Sequence, residues 1–472
     1  MKINIVCSLF LICLVFHSCK EKASQVNKSS DSSPNIILIN IDDLGWKDLG
    51  FQGSDYYETP NLDALSQKGM VFTNGYAGAA NCAPSRAVLM TGKWAQRHGI
   101  YTVLNSDRGK SKDRKLIPIK NTITLADEFT VIPQLLQKNG YKTCHAGKWH
   151  LTDNPLKKGF DVNIGGSHAG HPRSYYPPYK NVDLEAEDGK RLTDLVMDKA
   201  IEFVTNTKAP FFLNYSPYAV HTPIQPVKEL VGKYEGKSSK IGQNNAEYAS
   251  MVENMDANVG RLMLALKEAG KLENTFIVFT SDNGGLYGIT KQKPLRAGKG
   301  SYYEGGIRVP FFFVWKGEIK EQTTSNESIS NIDLFPTILK VANIKLPKEE
   351  ILDGENLVPI LKSEITSLDR PLYWHFPIYL QAYNAKDNEN RDAKFRTRPG
   401  SVVRYGKWKL HHYFEEDVLE LYDLDSDIGE ENNLATTNPE QAEILFKMLN
   451  NWRKITNAPV PTTLNPEYKG GE

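Results

Sequence analysis

"NIILINIDDLG", residues 35–45, is the stretch whose reading decides the fold. From Asn35 to Ile41 it carries no charge, glycine or proline, and Ile36, Ile37, Leu38, Ile39 and Ile41 lack the polar alternation of a half-exposed strand. Such a run is expected of a strand buried on both faces, the situation of a parallel sheet covered by helices on either side. It stops at two carboxylates, Asp42 and Asp43, and a glycine. "TFIVFTSDNGG" (275–285) repeats the design with Asp282 and Asn283, and "PFFLNYSPYAVHTP" (210–223) reads as another buried strand with His221 at its far end. In open α/β sheets ligands bind beyond the carboxyl ends of strands, so these polar clusters predict one shared site.

Helical patterns fill the gaps. Tyr248, Met251, Val252, Met255, Val259, Leu262, Met263 and Leu266 recur at helical spacing and Gly270 closes the pattern, which predicts an amphipathic helix with its methionines in the core. Pro133 suits the first turn of a helix running to Asn139–Gly140. The basic, aperiodic stretch from about Asn105 to Lys120 reads as a solvated surface loop. After about Leu361 the character changes: "GSVVRYGKWKLHHYF" (400–414) and "LELYDLDSD" (419–427) look like short antiparallel strands, followed by a helix from Pro439 to Thr456. The expected organisation is a large domain over 34–361 and a smaller one over 362–472, with no internal repeat.

The 472 residues carry a formal charge of +1, which argues against nucleic acid or an anionic membrane surface as the main partner. The segment 1–19, "MKINIVCSLFLICLVFHSC", has a Lys2 n-region and an apolar stretch too short to span a bilayer, so it reads as an export signal. It ends at Cys19 and a polar tether over 20–33 follows, similar to a bacterial lipoprotein signal. On that reading the protein sits in the periplasm or at the outer membrane, attached to lipid only through Cys19; an ordinary cleaved signal is the alternative. Of the five cysteines only Cys82 and Cys144 lie beyond the signal. Cys144, in an apparent strand, reads as a buried structural residue. Cys82, among Asn, Ala and Pro, reads as chemically used.

Asp42, Asp43, Asp282 and Asn283 together offer hard oxygen ligands, suited to Ca2+ or Mg2+ and not to zinc. Cationic and protic groups form a second set. "GKWH" spaces Lys148 and His150 two apart, which on a strand puts both on one face, and Lys299 sits between glycines that allow close backbone approach. With Arg86 and His221 these describe an anion clamp facing a metal, appropriate to phosphate or sulfate.

"CAPSRAVLMTG" (82–92) resembles the sulfatase signature Cys-x-Pro-Ser-Arg, and "GYKTCHAGKWH" (140–150) resembles the second signature of that family. "GKGSYYEGGIRVP" (298–310) and the C-terminal "VVRYGKWKL" and "ELYDLDSD" are similar to the family as well, so the resemblance runs from about Pro34 to the end. It implies an α/β fold: an alkaline-phosphatase-like α/β/α sandwich with a large mixed, mostly parallel sheet, plus a smaller C-terminal α+β domain with a short antiparallel sheet. It also implies a formylglycine-dependent sulfatase, in which a separate maturation enzyme oxidises Cys82 to an aldehyde whose hydrate is the nucleophile. By the same resemblance Cys82, Asp42, Asp43, Asp282 and Asn283 hold one Ca2+. Arg86 and Lys148 stabilise the hydrate and Lys299 holds the sulfate oxygens. His221 protonates the leaving oxygen, and His150 takes a proton as sulfate is eliminated.

Two other classes stay open on sequence: a phosphomonoesterase or phosphodiesterase of the same superfamily, and a non-catalytic glycan-binding lipoprotein. For the sulfatase, export suggests a sulfated polysaccharide substrate. "GGSHAGHPRSYYPPY" (165–179) offers His168, His171, Arg173 and tyrosines as hydroxyl donors and a stacking platform, or else is a merely structural loop. The expectation is exo action on a galactose-type 4-sulfate, with ulvan rhamnose 3-sulfate as the alternative.

Overall fold

The computed structural model describes residues 33–384 and 389–470; the expected signal, with Cys19, and the tether as far as Ser32 lie outside them. From Ser33 onward the chain packs as one compact unit. Eight strands build the main sheet: β1 (Asn35–Ile41), β2 (Met70–Tyr76), β3 (Lys142–Gly147), β4 (Val162–Ile164), β5 (Phe211–Ser216), β6 (Thr275–Ser281), β7 (Phe312–Trp315) and β8 (Thr323–Ser330). Their order is β4-β3-β5-β1-β6-β7-β2-β8. All neighbours run parallel except at β7, which is antiparallel to both β6 and β2.

β1 lies between β5 and β6, with Leu38 opposite Asn214 on one side and Val278 on the other. Its side chains alternate between two cores. Ile37, Ile39 and Ile41 pack with the helices Leu192–Asn206 and Ala246–Glu268, whereas Ile36 and Leu38 pack with Cys82–Thr91, Ile132–Lys138 and Leu334–Val341. A strand with apolar helices on both faces has no polar face to show, which is why its sequence is a continuous apolar run. Met251 and Met255 are buried in the first of these cores, as the helical spacing predicts.

The rest of the chain adds β9 (Leu372–Phe376), β10 (Leu380–Gln381), β11 (Phe395–Thr397), β12 (Gly400–Tyr405), β13 (Trp408–Tyr413) and β14 (Val418–Asp423). β14-β13-β12-β9 form an antiparallel sheet and β10-β11 a short antiparallel pair. The helix Pro439–Ile455 packs on the four-stranded sheet through Leu445, Leu449 and Trp452, and the same core takes in Val88 of the Cys82–Thr91 helix. The basic stretch 105–120 is aperiodic, as expected, but it is not simply solvated. Lys115 donates to the Glu415 carbonyl at 2.5 Å, Leu116 N–H to the Tyr379 hydroxyl at 2.9 Å, and Asn465 to the Arg114 carbonyl at 2.8 Å. Lys115 and the Asp113–Lys394 ion pair tie the segment to the C-terminal part of the chain, while Arg114 turns back onto the Gly109 carbonyl at 2.6 Å.

Three histidines belong to the cores. Both ring nitrogens of His145 have partners, Gly147 O at 3.0 Å and Asn214 Nδ2 at 2.9 Å, so its neutral form is satisfied and a second proton would face an amide donor. His375 bridges Ser401 Oγ at 2.8 Å and Pro459 O at 3.0 Å. Burial holds His98, His145 and His375 each at about 3. The unfolded chain takes up protons near 6.5 that the folded chain refuses. Stability is therefore complete above pH 6.5 and falls as pH drops towards 3, by up to about 1.4 kcal/mol per pH unit for each histidine. Urea unfolding between pH 7.5 and 5 should show this decline, and His375→Gln should make it shallower by one proton; an unchanged slope would show that His375 is not held neutral.

Candidate active site

The carboxyl ends of β3, β5, β1 and β6, adjacent in the sheet, deliver the site. Asp42 and Asp43 follow β1, Asp282 and Asn283 follow β6, His221 follows β5 by a short loop, and Lys148 and His150 follow β3. Adjacent residues on a strand point to opposite faces. Here the backbone turns instead: Asp43 adopts φ +60°, a left-handed conformation, and both carboxylates meet the same group of residues. Asp42, Asp43 and Asp282 each bring an oxygen to within 4.8 Å of the others. Three buried carboxyl groups at this spacing repel strongly when ionised, and ionising all of them requires cations beside them.

Three cations answer. Lys148 Nζ lies 2.9 and 2.7 Å from the two oxygens of Asp42. Lys299 Nζ lies 2.7 Å from Asp43. Arg86 donates Nε to Asp282 at 2.8 Å and Nη1 to the Lys148 carbonyl at 2.7 Å. Burial pushes Asp42 up to about 8, Lys148 pulling it back and Asp282 and Asp43 pushing it further. For Asp43 burial is outweighed by Lys299, His221 and Lys148, which hold its carboxyl well below the usual range. Arg86 and Lys299 are both raised, since Asp282 and Asp43 respectively overcome burial.

The donor set fits a hard cation. Asn283 Nδ2 donates to Asp43 at 2.8 Å, and its Oδ1 is buried with no hydrogen-bond partner among the described residues. A buried, unpartnered amide oxygen beside three carboxylates is the donor chemistry that would suit a hard divalent cation.

Cys82 is the first residue of the helix Cys82–Thr91, and all ten residues of that helix are buried. Its thiol is free and 3 % exposed, and Sγ, an Asp42 oxygen and a His221 ring nitrogen lie within 4.8 Å of one another. Cys144, also free, is buried in β3, where burial pushes its thiol well up, as expected of a structural residue.

His221 Nδ1 is 2.7 Å from the Thr222 carbonyl and Nε2 is 3.6 Å from Asp43. His150, at φ +65°, has a buried Nδ1 with no partner among the described residues. Burial, with Lys299 for His221 and Lys148 for His150, holds both rings well below their ordinary value. One part of the sequence reading needs correction. β3 ends at Gly147, so Lys148 and His150 are loop residues, and strand alternation is not what brings them together. The backbone does so: Lys148 N–H bonds Ser216 O at 2.6 Å and His150 N–H bonds Ser167 O at 2.9 Å.

The loop 165–179 lies against both histidines. The His171 ring stacks on His221 at 5.6 Å, and His168 meets His150 edge-on at 5.9 Å while its Nε2 is 2.9 Å from the Ile123 carbonyl. Arg173 is exposed. Two of the loop's tyrosines are internal supports, and Tyr176 is half-buried with its hydroxyl donating to Pro226 O at 3.0 Å. Tyr175 and Tyr179 are buried, and the Tyr175 hydroxyl donates to Tyr218 O at 2.6 Å and His221 O at 2.8 Å, so it holds the His221 loop. Asp48 also escaped the sequence reading. It accepts from Tyr248 OH, Thr290 Oγ1 and Gln292 Nε2, each at 2.7 Å, and from Gly45 N–H at 2.8 Å, bracing the turn behind Asp43. A lone aspartate after a glycine carries no signal of such a role.

Family models match over most of this fold: "Sulfatase" across residues 34–344 and "N-sulphoglucosamine sulphohydrolase, C-terminal" across 298–458. A sulfatase of Formosa agariphila is 32% identical, with 93% of this chain and 92% of that protein aligned. The N-acetylgalactosamine-6-sulfatase of Rattus norvegicus is 33% identical over 72% of this chain and 68% of its own. The structure of Ps i-CgsB in complex with k-i-k-neocarrahexaose superposes with a TM-score of 0.73 at 30% identity, covering 91% of this chain and 98% of that one. The chain belongs to the sulfatase family, on the alkaline-phosphatase-like fold, and is a sulfuric ester hydrolase.

Arg86 is the residue that most directly neutralises Asp282. Arg86→Met strands a buried carboxylate and should cost about 3–5 kcal/mol in chelator-treated protein. Denaturant unfolding measures this, and a loss under 1 kcal/mol, the range of an exposed ion pair, would mean Asp282 does not depend on Arg86.

Proposed function

We propose that this sulfatase removes one sulfate from a terminal galactose-type sugar of a sulfated polysaccharide, using formylglycine formed from Cys82 and one Ca2+ held by Asp42, Asp43, Asp282 and Asn283. The observation that carries the reading is the convergence of Cys82 with Asp42 and His221 inside a ring of three buried cations. When present, the cation would neutralise the carboxylates and polarise the sulfate, and the aldehyde hydrate at residue 82 would supply the attacking hydroxyl.

The chain's own residues have these tasks. Lys299, already against Asp43, binds sulfate oxygens and offsets the charge that develops on them, and Lys148, against Asp42, stabilises the residue-82 hydrate. Arg86 fixes Asp282 and the Lys148 backbone together, so that the clamp keeps its spacing. His221, with Nδ1 engaged by Thr222, turns Nε2 towards the carboxylates and delivers the proton to the departing sugar oxygen. An anionic sulfate ester beside the ring raises its proton affinity against the opposing effects of burial and lysine. His150, with its free Nδ1, accepts the proton released as the residue-82 hydroxyl collapses and sulfate departs.

The galactose-type sugar is supported by the neocarrahexaose bound to Ps i-CgsB and by the named activity of the rat relative. A 4-sulfate is the first choice and an ulvan-type sulfate the alternative. Exo action is supported by the way His168 and His171 crowd the proposed acid and base, closing one side of the site. Export and lipid attachment at Cys19, and a maturation enzyme acting on Cys82, complete the proposal.

Intact-mass and peptide analysis of active protein should find sulfur and two hydrogens at residue 82 replaced by one oxygen, and a chelator should abolish turnover that Ca2+ restores. Active protein with an unmodified thiol would overturn the chemistry. His221→Ala separates the acid role by leaving group. It should slow hydrolysis of a sugar sulfate by about 10²–10⁴-fold and of a nitrophenyl sulfate, whose alcohol leaves without a proton, far less. Equal losses would remove His221 as the acid.

A further inference from the structure

Beside Lys299, away from the carboxylates, lies a cavity of about 240 Å³ lined by Tyr287, Gly298, Lys299, Tyr383 and Arg396 among others. Arg396 comes from β11, in the C-terminal part of the chain, and is 8% exposed. Its Nε donates to Gln381 O at 3.0 Å and its Nη1 to the Lys299 carbonyl at 3.1 Å, while the guanidinium lies 3.6 Å from the centre of the Tyr383 ring. The close approach depends on Gly300, at φ +88°, where a Cβ would come within 2.8 Å of Nη1. No carboxylate within salt-bridge distance of Arg396 is found among the described residues, in contrast to Arg86 and Arg308, which are paired. Among the described residues this buried guanidinium is held by two carbonyls and by Tyr383, with a lysine as neighbour and no carboxylate paired to it.

We propose that Arg396 and this cavity form a subsite for a second oxyanion, a sulfate or carboxylate carried by the same saccharide whose sulfate ester Lys299 holds. The inference rests on the sulfatase reading and deepens it: the substrate is a saccharide with at least two anionic groups. Nε and Nη1 of Arg396 are engaged by Gln381 O and Lys299 O, which leaves the Nη2 hydrogens and the second Nη1 hydrogen for charge-assisted bonds. Tyr383, 64% exposed, forms the outer wall against which a sugar ring packs. Because Arg396 and the sulfate-binding Lys299 are joined through the Lys299 carbonyl, the two anions are read at a fixed separation.

Binding to Cys82→Ala protein by calorimetry tests this without turnover. The probes are a galactan disaccharide with two sulfates, its monosulfated counterpart, and one whose second sulfate is replaced by a carboxylate. The disulfated or carboxylated probe should bind more tightly than the monosulfated one. Arg396→Gln should reduce that preference by about ten- to hundredfold, the equivalent of one hydrogen bond to a charged group. Arg396→Lys, which keeps the charge and the fold but loses the fork, should reduce it in part. Whichever probe is preferred identifies the oxyanion. Absence of any preference, or equal weakening of all three probes by both variants, would overturn the subsite and leave Arg396 as a support for Lys299. Failure of the sulfatase reading would appear separately, as wild-type protein that does not hydrolyse nitrophenyl sulfate.

Discussion

The rest of the structure depends on one electrostatic constraint: three carboxylates brought within 4.8 Å of one another at the ends of two buried parallel strands. Such a cluster persists in a folded chain only if positive charge is built around it, and the fold brings that charge from well-separated parts of the sequence. Lys148 comes from beyond β3, Arg86 from the Cys82–Thr91 helix and Lys299 from a glycine-flanked loop. Each is at most 6% exposed, so none is neutralised by solvent and each has its partner fixed. The same arrangement that makes the aspartates tolerable gathers paired charge of both signs in one pocket.

Lys299 is the member whose position is most elaborately secured. Its N–H bonds Gly285 O at 2.9 Å and the next amide, Gly300 N–H, bonds Ala80 O at 2.8 Å, just ahead of Cys82. Downstream, Glu304 accepts from Arg308 at 2.6 Å and from Lys409 at 2.9 Å, and Lys409 also meets Glu430 at 2.9 Å. Lys409, Glu304 and Glu430 are fully buried, and the network joins the Lys299 segment to β13. Buried ion pairs add little net stability over apolar packing, but removing one partner is costly, so they tolerate only one register between the parts they join. The C-terminal sheet thereby contributes to the site by holding it.

Some of this was open to reading from sequence because burial writes a simple pattern. A central parallel strand must be apolar on both faces, so β1, β5 and β6 are visible as uninterrupted runs, and polar residues where a run stops must lie at its carboxyl end. The signature around Cys82 is local, with Cys82 and Arg86 on one helix, and so could be compared with a known family. Asp48, Tyr175 and Arg396 were not legible. Each acts mainly through partners distant in sequence, and nothing local marks an aspartate that accepts from Tyr248, Thr290 and Gln292, or an arginine against the Lys299 carbonyl, apart from the same residues on a surface.

By itself the sequence determined the class of fold, the strand-end location of the site and the chemical types gathered there, because these follow from periodicity and from residue identity. Only the tertiary structure decided which carboxylate faces which cation, that a left-handed Asp43 lets neighbouring aspartates share one pocket, and that Lys148 and His150 meet the site from a loop and not from a strand. It alone decided that Tyr175 and Tyr179 of the 165–179 loop are buried supports. The physical reason is that charge pairing and burial are set by distances in space, and those distances are fixed when remote segments pack, not by their spacing along the chain.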